Sequence, residues 1–218
     1  MSNQTIAEQV DEFNAGFNAQ IGPVLADVFA QEQLALNSGG VPSGAVAVGD
    51  VVRDADLVST DGSTTTLSAA LGGKAGVLVF YRGAWCPYCN IALQTYQRDL
   101  LPKLREDGVA LIAISPQTPA GSEQAVTNGG LEFTVLSDPA NVLIRELGIV
   151  TEPAATAREA HTQLGFDVAD SNADATGDIP FPTVLVVDAN RTVRFADVHV
   201  DYTTRTEVPT ILAAVDAL

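Results

Sequence analysis

Residues 80–90 read Phe80-Tyr81-Arg82-Gly83-Ala84-Trp85-Cys86-Pro87-Tyr88-Cys89-Asn90 and hold both cysteines and the single tryptophan of a 218-residue chain. Upstream, Val77-Leu78-Val79-Phe80-Tyr81 is a short, β-branched apolar run that reads as a buried strand. Downstream, Ile91, Leu93, Tyr96, Leu100, Leu101 and Leu104 recur at near-helical spacing. The cysteines therefore fall where a strand ends and a helix begins.

That placement has chemical consequences. The first amides of a helix lack intrahelical partners, and the aligned peptide dipoles favour negative charge beside them. A cysteine there is more thiolate, and the thiolate is the nucleophile. Cys86 is expected at or next to the cap, with Pro87 in the first turn, where its missing donor costs nothing. Cys89 lies in the same turn. Cys86 is assigned as the attacking thiol and Cys89 as the resolving one.

Other uses of two cysteines fit less well. A structural disulfide gains most by closing a long loop, and this span is short. A zinc site needs about four ligands. His161 and His199 lie far along the chain without ligand-like spacing, and no role is assigned to either. A Cys-x-x-Cys beside alternating strands and helices is a redox signature.

Alternation continues along the chain. Strands are expected near 51–52, 64–66, 109–114, 133–136, 183–188 and 192–196. Helices are expected over 89–106 (kinked or restarted at Pro102), 122–128, 140–147, 156–164 and 208–218. This order implies α/β architecture with crossovers and a largely parallel core. Residues 170–174 resemble the opening of a calcium loop. Ala175 stands where that loop needs glycine and Phe181 where it needs glutamate, so an acidic solvated loop is expected.

Residues 1–44 read as an N-terminal helical extension and linker, and 45–218 as the main domain. In the extension, Ile6, Val10, Phe13, Phe17, Ile21, Val24, Val28 and Phe29 mark one face of a helical region, broken at Gly22-Pro23. A helix packed on the domain is the first reading. A helix that forms a homodimer is the second.

The formal net charge of −16, with 11 Lys and Arg against 27 Asp and Glu, repels nucleic acid. Salt adaptation and plain solubility both account for it. No apolar run is long enough for a bilayer, so no membrane partner is expected. The first residues lack the basic-then-apolar layout of a secretory signal, which with the cysteine usage points to the cytoplasm.

The order strand, Cys-x-x-Cys helix, strand, helix, strand, hairpin, helix resembles a thioredoxin-like fold: a central mixed sheet flanked by helices. Trp85-Cys86-Pro87-Tyr88-Cys89 resembles that superfamily's active-site turn. Pro182 matches the position of its cis-proline, ahead of the strand Thr183-Val184-Leu185-Val186-Val187-Asp188. From about Val48 onward the chain is similar to the peroxiredoxin-like branch of the AhpC/TSA family. The matching pieces are residues 80–90, 113–117, 133–139, 180–188 and 193–205.

The resemblance implies a thiol peroxidase for hydrogen peroxide or alkyl hydroperoxides. It passes through a Cys86 sulfenic acid and a Cys86–Cys89 disulfide, and a thioredoxin- or glutaredoxin-type reductant restores the dithiol. No metal, flavin or nucleotide is implied. Trp85, Pro87, Tyr88, Pro182 and Thr183 would frame the substrate groove, with Phe181 on its lip. Two departures stand out: Gly83 occupies the position of the peroxiredoxin threonine, and Pro180-Phe181-Pro182 replaces the family's usual arginine. Arg82 then either stabilises the thiolate and the leaving oxygen or is a solvated or salt-bridged arginine. Two further functions fit the same residues: a protein thiol–disulfide oxidoreductase, and a redox-sensing binding module without turnover.

Overall fold

A computed structural model describes residues 4–218; residues 1–3 of the N-terminal stretch discussed above lie outside it. Helix α1 (Ile6–Gly39) opens on a capping box, in which the Thr5 hydroxyl accepts from the Glu8 amide and the Glu8 carboxylate accepts from the Thr5 amide. Gly22, at φ 78°, breaks it ahead of Pro23, as the dipeptide predicts. Helix α1 packs on the domain through α3 and α7, introduced below. Buried Ile6 and Val10 join the core beneath it.

The elements that follow are β1 (Asp56–Ser59), β2 (Thr64–Thr66), α2 (Leu67–Leu71), β3 (Gly76–Phe80) and α3 (Pro87–Thr95). A π-helical turn (Tyr96–Leu100) leads into α4 (Leu101–Asp107). The widened turn ends where Pro102, placed in the first turn of α4, restarts the helix. Then come β4 (Ala110–Ser115), α5 (Pro119–Gly129), β5 (Thr134–Ser137), α6 (Val142–Glu146), β6 (Val150–Thr151), α7 (Ala155–Gln163), α8 (Val168–Ser171), β7 (Ile179–Pro180), β8 (Thr183–Val187), β9 (Val193–Val198) and α9 (Val208–Val215).

Seven strands form a mixed sheet in the order β2-β1-β5-β4-β3-β8-β9. Only β3–β4 and β4–β5 pair in parallel; the others are antiparallel, so the core is less parallel than the alternation suggested. The first strand also differs from expectation. Val51 makes a single bridge to Thr192, while the strand itself begins at Asp56 and buries Leu57. The short β6–β7 pair carries no alternating pattern and is not visible in the sequence.

Strand β3 is apolar throughout because both of its faces are covered. Val77, Val79 and Tyr81 face the α3, α4, α5 and α9 side, whereas Leu78 and Phe80 face α2 and α6. Each such fully buried side chain contributes on the order of 1.5–3 kcal/mol. A strand so held fixes where its C-terminal end delivers the next residues. Among the described residues no helix is long and apolar enough to cross a membrane.

Candidate active site

Cys86 is the N-cap residue of α3 and Pro87 opens its first turn, as the spacing predicts. The approach from β3 is tied down locally. The Cys86 amide donates to the Gly83 carbonyl at 3.1 Å. The Ala84 amide donates to Gln117 Oε1 at 2.8 Å, and Asn90 Nδ2 donates to the Ala84 carbonyl at 2.8 Å. Gly83 sits at φ 151°, and a Cβ there would collide with the Trp85 indole. Glycine thus stands at this position because the indole folds back over the turn.

Both cysteines are free thiols and fully buried. The cation beside them comes from the loop between β9 and α9, far along the chain from the Cys-x-x-Cys turn. Arg205, between β9 and α9, places Nη2 at 2.9 Å from Cys89 Sγ and 3.7 Å from Cys86 Sγ. Its Nη1 donates to the Tyr202 carbonyl at 2.7 Å, which aims the guanidinium. His199 lies on the same loop, bonded to Asp197 at 3.0 Å and to Thr204 at 2.7 Å. Asp197 also accepts from Thr206 at 2.8 Å. The histidine holds the segment that presents Arg205.

The two sulfurs share their protons unequally. Burial pushes the Cys86 thiol well up, and its hydrogen bond to Cys89 and the charge of Cys89 push the same way, against Arg82 and Arg205. Burial also opposes charge on Cys89. The Cys86 hydrogen bond, Arg205, and the amide and guanidinium of Arg82 outweigh it and hold Cys89 well below the ordinary thiol range. The resting negative charge therefore lies on Cys89, not on Cys86 as the cap position alone suggests. The hydrogen bond between the two sulfurs, and then the shorter distance of Cys89 to Arg205, are the physical reasons.

Arg82 is buried and makes no ion pair among the described residues. Its guanidinium carbon lies 5.0 Å from the Trp85 ring centroid and 4.2 Å from that of Tyr202. The solvated or salt-bridged reading of this arginine is thereby overturned.

A cavity of about 410 Å³ lies over Cys86, with Arg82, Trp85, Pro87 and Tyr88 in its wall; Cys89 does not line it. The remaining wall comes from α1 (Phe13, Phe17, Asn18, Gln20, Ile21, Phe29), from α7 and the residues just after it (His161, Leu164, Phe166), and from Tyr202. Tyr88 Oη donates to Asn14 at 2.8 Å, which ties α1 across the site. His161 lies among Phe29, Trp85 and Phe166, and burial, then Arg82, pulls its pKa down to about 4.

Three sequence-derived groove residues do not belong to this cavity. Pro182 and Phe181 line a separate water-sized space of about 10 Å³ with Glu32, Arg82 and Tyr202. The peptide preceding Pro182 is trans, correcting the match to a cis-proline. Thr183 is buried opposite Phe80 in the sheet, and its hydroxyl donates to the Phe181 carbonyl at 2.8 Å.

Comparison with known proteins identifies the family and the fold. Residues 48–196 match the sequence model of the AhpC/TSA family. Peroxiredoxin Q, chloroplastic, from Triticum aestivum is 32% identical over 115 residues, 53% of this chain and 52% of that protein. Thiol-disulfide oxidoreductase ResA from Bacillus thuringiensis is 34% identical over 80 residues, 36% of this chain and 45% of that protein. The chain thus spans about half the length of these relatives. Peroxidoxin BcpB from Mycobacterium tuberculosis shares the fold at a TM-score of 0.59 and 21% identity, over 78% of this chain and 97% of that one.

Proposed function

The chain belongs to the AhpC/TSA family of peroxiredoxins and thiol–disulfide oxidoreductases, and on that premise we propose that it is a thiol peroxidase. One observation carries the reading: Cys86, itself buried, lies in the wall of a cavity of small-molecule size, while Cys89, hydrogen-bonded to it, holds the charge under Arg205. The peroxide enters by the cavity. Cys86 and Cys89 share one proton, and in the form that carries it on Cys89 the Cys86 thiolate attacks the distal oxygen. The O–O bond breaks, the alkoxide or hydroxide takes up a proton, and Cys86 becomes a sulfenic acid. Arg82 and Arg205 stabilise the negative charge that moves through this step.

Cys89 then attacks the Cys86 sulfur and water leaves, forming the disulfide. A thioredoxin- or glutaredoxin-type dithiol reduces it by exchange. The cytoplasm, a reducing compartment, suits that cycle. Substrate-groove roles go to Trp85, Pro87 and Tyr88; Pro182 and Thr183 lie at the start of β8, beside the end of β3 that leads into Arg82.

A second reading, exchange with the disulfides of other proteins, is favoured by the similarity to ResA and by the Cys-x-x-Cys turn. The experiment that separates the two compares oxidation of the reduced protein by hydroperoxide with its reduction of insulin disulfides. Faster reaction with hydroperoxide is expected. Faster insulin reduction transfers the assignment to the second reading.

A further inference from the structure

Helix α1 lies outside the residues that match the family model, and so does the Val200–Arg205 stretch, yet the two meet beside the cysteines. We propose that Gln33 of α1 is a positioning residue of the dithiol centre, clamping the turn whose Tyr202 carbonyl aims Arg205 at Cys89. The role is independent of the oxidant and does not rest on the peroxidase reading.

Gln33 is half-buried, and both ends of its side-chain amide are used. Nε2 donates to the Val200 carbonyl and to Asn37 Oδ1, each at 3.2 Å, and Oε1 accepts from the Tyr202 amide at 3.2 Å. Two donors and an acceptor, each with a matched partner, fix which way the amide faces. One residue of α1 thus holds a carbonyl and an amide two residues apart on the same turn. Tyr202 adds a further link, its hydroxyl donating to the Phe29 carbonyl at 3.4 Å.

The turn needs such an anchor. The His199 amide donates to the Pro182 carbonyl at 2.9 Å, and after it the chain leaves the sheet. It is fixed again at Thr206, whose carbonyl accepts from Tyr96 Oη at 2.7 Å and whose hydroxyl donates to Asp197 at 2.8 Å. In between, Asp201 Oδ1 accepts from the Thr203 amide and hydroxyl, and the Thr204 hydroxyl bonds the Asp201 carbonyl and His199 Nδ1. These bonds are internal to the loop and give the turn its shape. Gln33 sets its place against α1. Arg205 Nη1 then donates to the Tyr202 carbonyl at 2.7 Å and to the Thr204 carbonyl at 2.5 Å, and Nη2 reaches Cys89 Sγ at 2.9 Å. The attraction between guanidinium and thiolate weakens as that last distance grows.

The test is a pH titration of the reduced protein, followed by thiolate absorbance near 240 nm, in the wild type and in Gln33→Leu. Leucine keeps bulk and helix propensity and removes the three bonds of the amide. Arg82 and Arg205 are the cations that face the cysteine pair. Tyr81, Tyr88 and Tyr96 face it too, and burial pushes each phenol up, to about 12 in Tyr81 and Tyr88. The carboxylates nearby push the same way, Asp201 on Tyr88 and Glu207 and Asp197 on Tyr96, so the phenols stay neutral while the first thiolate forms. That thiolate should appear about half a pH unit higher in Gln33→Leu, about a threefold change in proton affinity and smaller than loss of the guanidinium itself would give. In an Arg205→Met background the same substitution should add nothing, because the bonds it breaks act through Arg205. Gln33→Ala gives the same reading should the leucine variant fail to fold. An unmoved titration in a folded Gln33 variant overturns the proposal. So does an equal shift in the Arg205→Met background, which would mark a general loosening of the site. No peroxide enters the measurement, so its outcome and that of the peroxidase reading are separate.

Discussion

Arg205 and Cys89 lie 116 residues apart in the chain, yet Nη2 of one sits 2.9 Å from Sγ of the other. Together with the hydrogen bond between Cys86 and Cys89, this contact favours charge on Cys89. Both sulfurs lie in the first turn of α3, but the guanidinium lies nearer to one. Cys89 therefore carries the charge of the pair at rest and is placed, after oxidation of Cys86, as the thiol that closes the disulfide.

Replacing Arg205 with Met removes that preference while keeping much of the side-chain volume. An adjacent guanidinium is worth about 1–3 pK units to an anion. The first thiolate of the pair, followed by absorbance near 240 nm, should appear at higher pH in Arg205→Met by about that amount. A titration curve that does not move would show that α3 and Arg82 alone set the charge.

The two cysteines should separate cleanly under peroxide. In Cys86→Ser, mass spectrometry should find no oxygen added to Cys89, which does not line the cavity. In Cys89→Ser, Cys86 should accumulate as sulfenic and then sulfinic acid. Oxidation of Cys89 in the Cys86→Ser protein at the wild-type rate would reverse the assigned roles.

His161 makes stability depend on acidity. Burial, followed by Arg82, lowers its pKa from 6.5 to about 4, so the folded state resists a proton that the unfolded chain accepts. Its contribution is complete above pH 6.5 and is lost progressively as pH falls towards about 4. Urea midpoints should therefore fall more between pH 7 and 4.5 in the wild type than in His161→Phe. Parallel curves would mean that the imidazole is solvated in the folded protein.

The sequence made the scaffold of the site readable because its signals are local. The β-branched run before Cys86, the helical spacing after it and Pro87 in the first turn each belong to a few neighbouring residues, and β3 and α3 form where they indicate. Gly22-Pro23 broke α1 for the same reason. Arg205 was different. It belongs to a stretch, Asp201–Arg205, with the composition of a surface turn, and only the return of β9 beside β8 brings it under α3. His161 read as a lone helical histidine because the rings that surround it come from α1, the active-site turn and the segment after α7. Pro182 misled because its match to another fold position was local, while its actual neighbours are Glu32, Arg82 and Tyr202.

The charge placement and the access route meet in a single rate. The reduced protein should be mixed with cumene hydroperoxide by stopped flow, with Trp85 fluorescence recording oxidation of Cys86. A second-order rate at least about 100-fold above that of free cysteine, compared at equal thiolate fraction, is predicted, since positioned charge of this kind contributes several kcal/mol. A rate equal to that of free cysteine would contradict the assignment of Cys86 as a peroxide-reducing thiol.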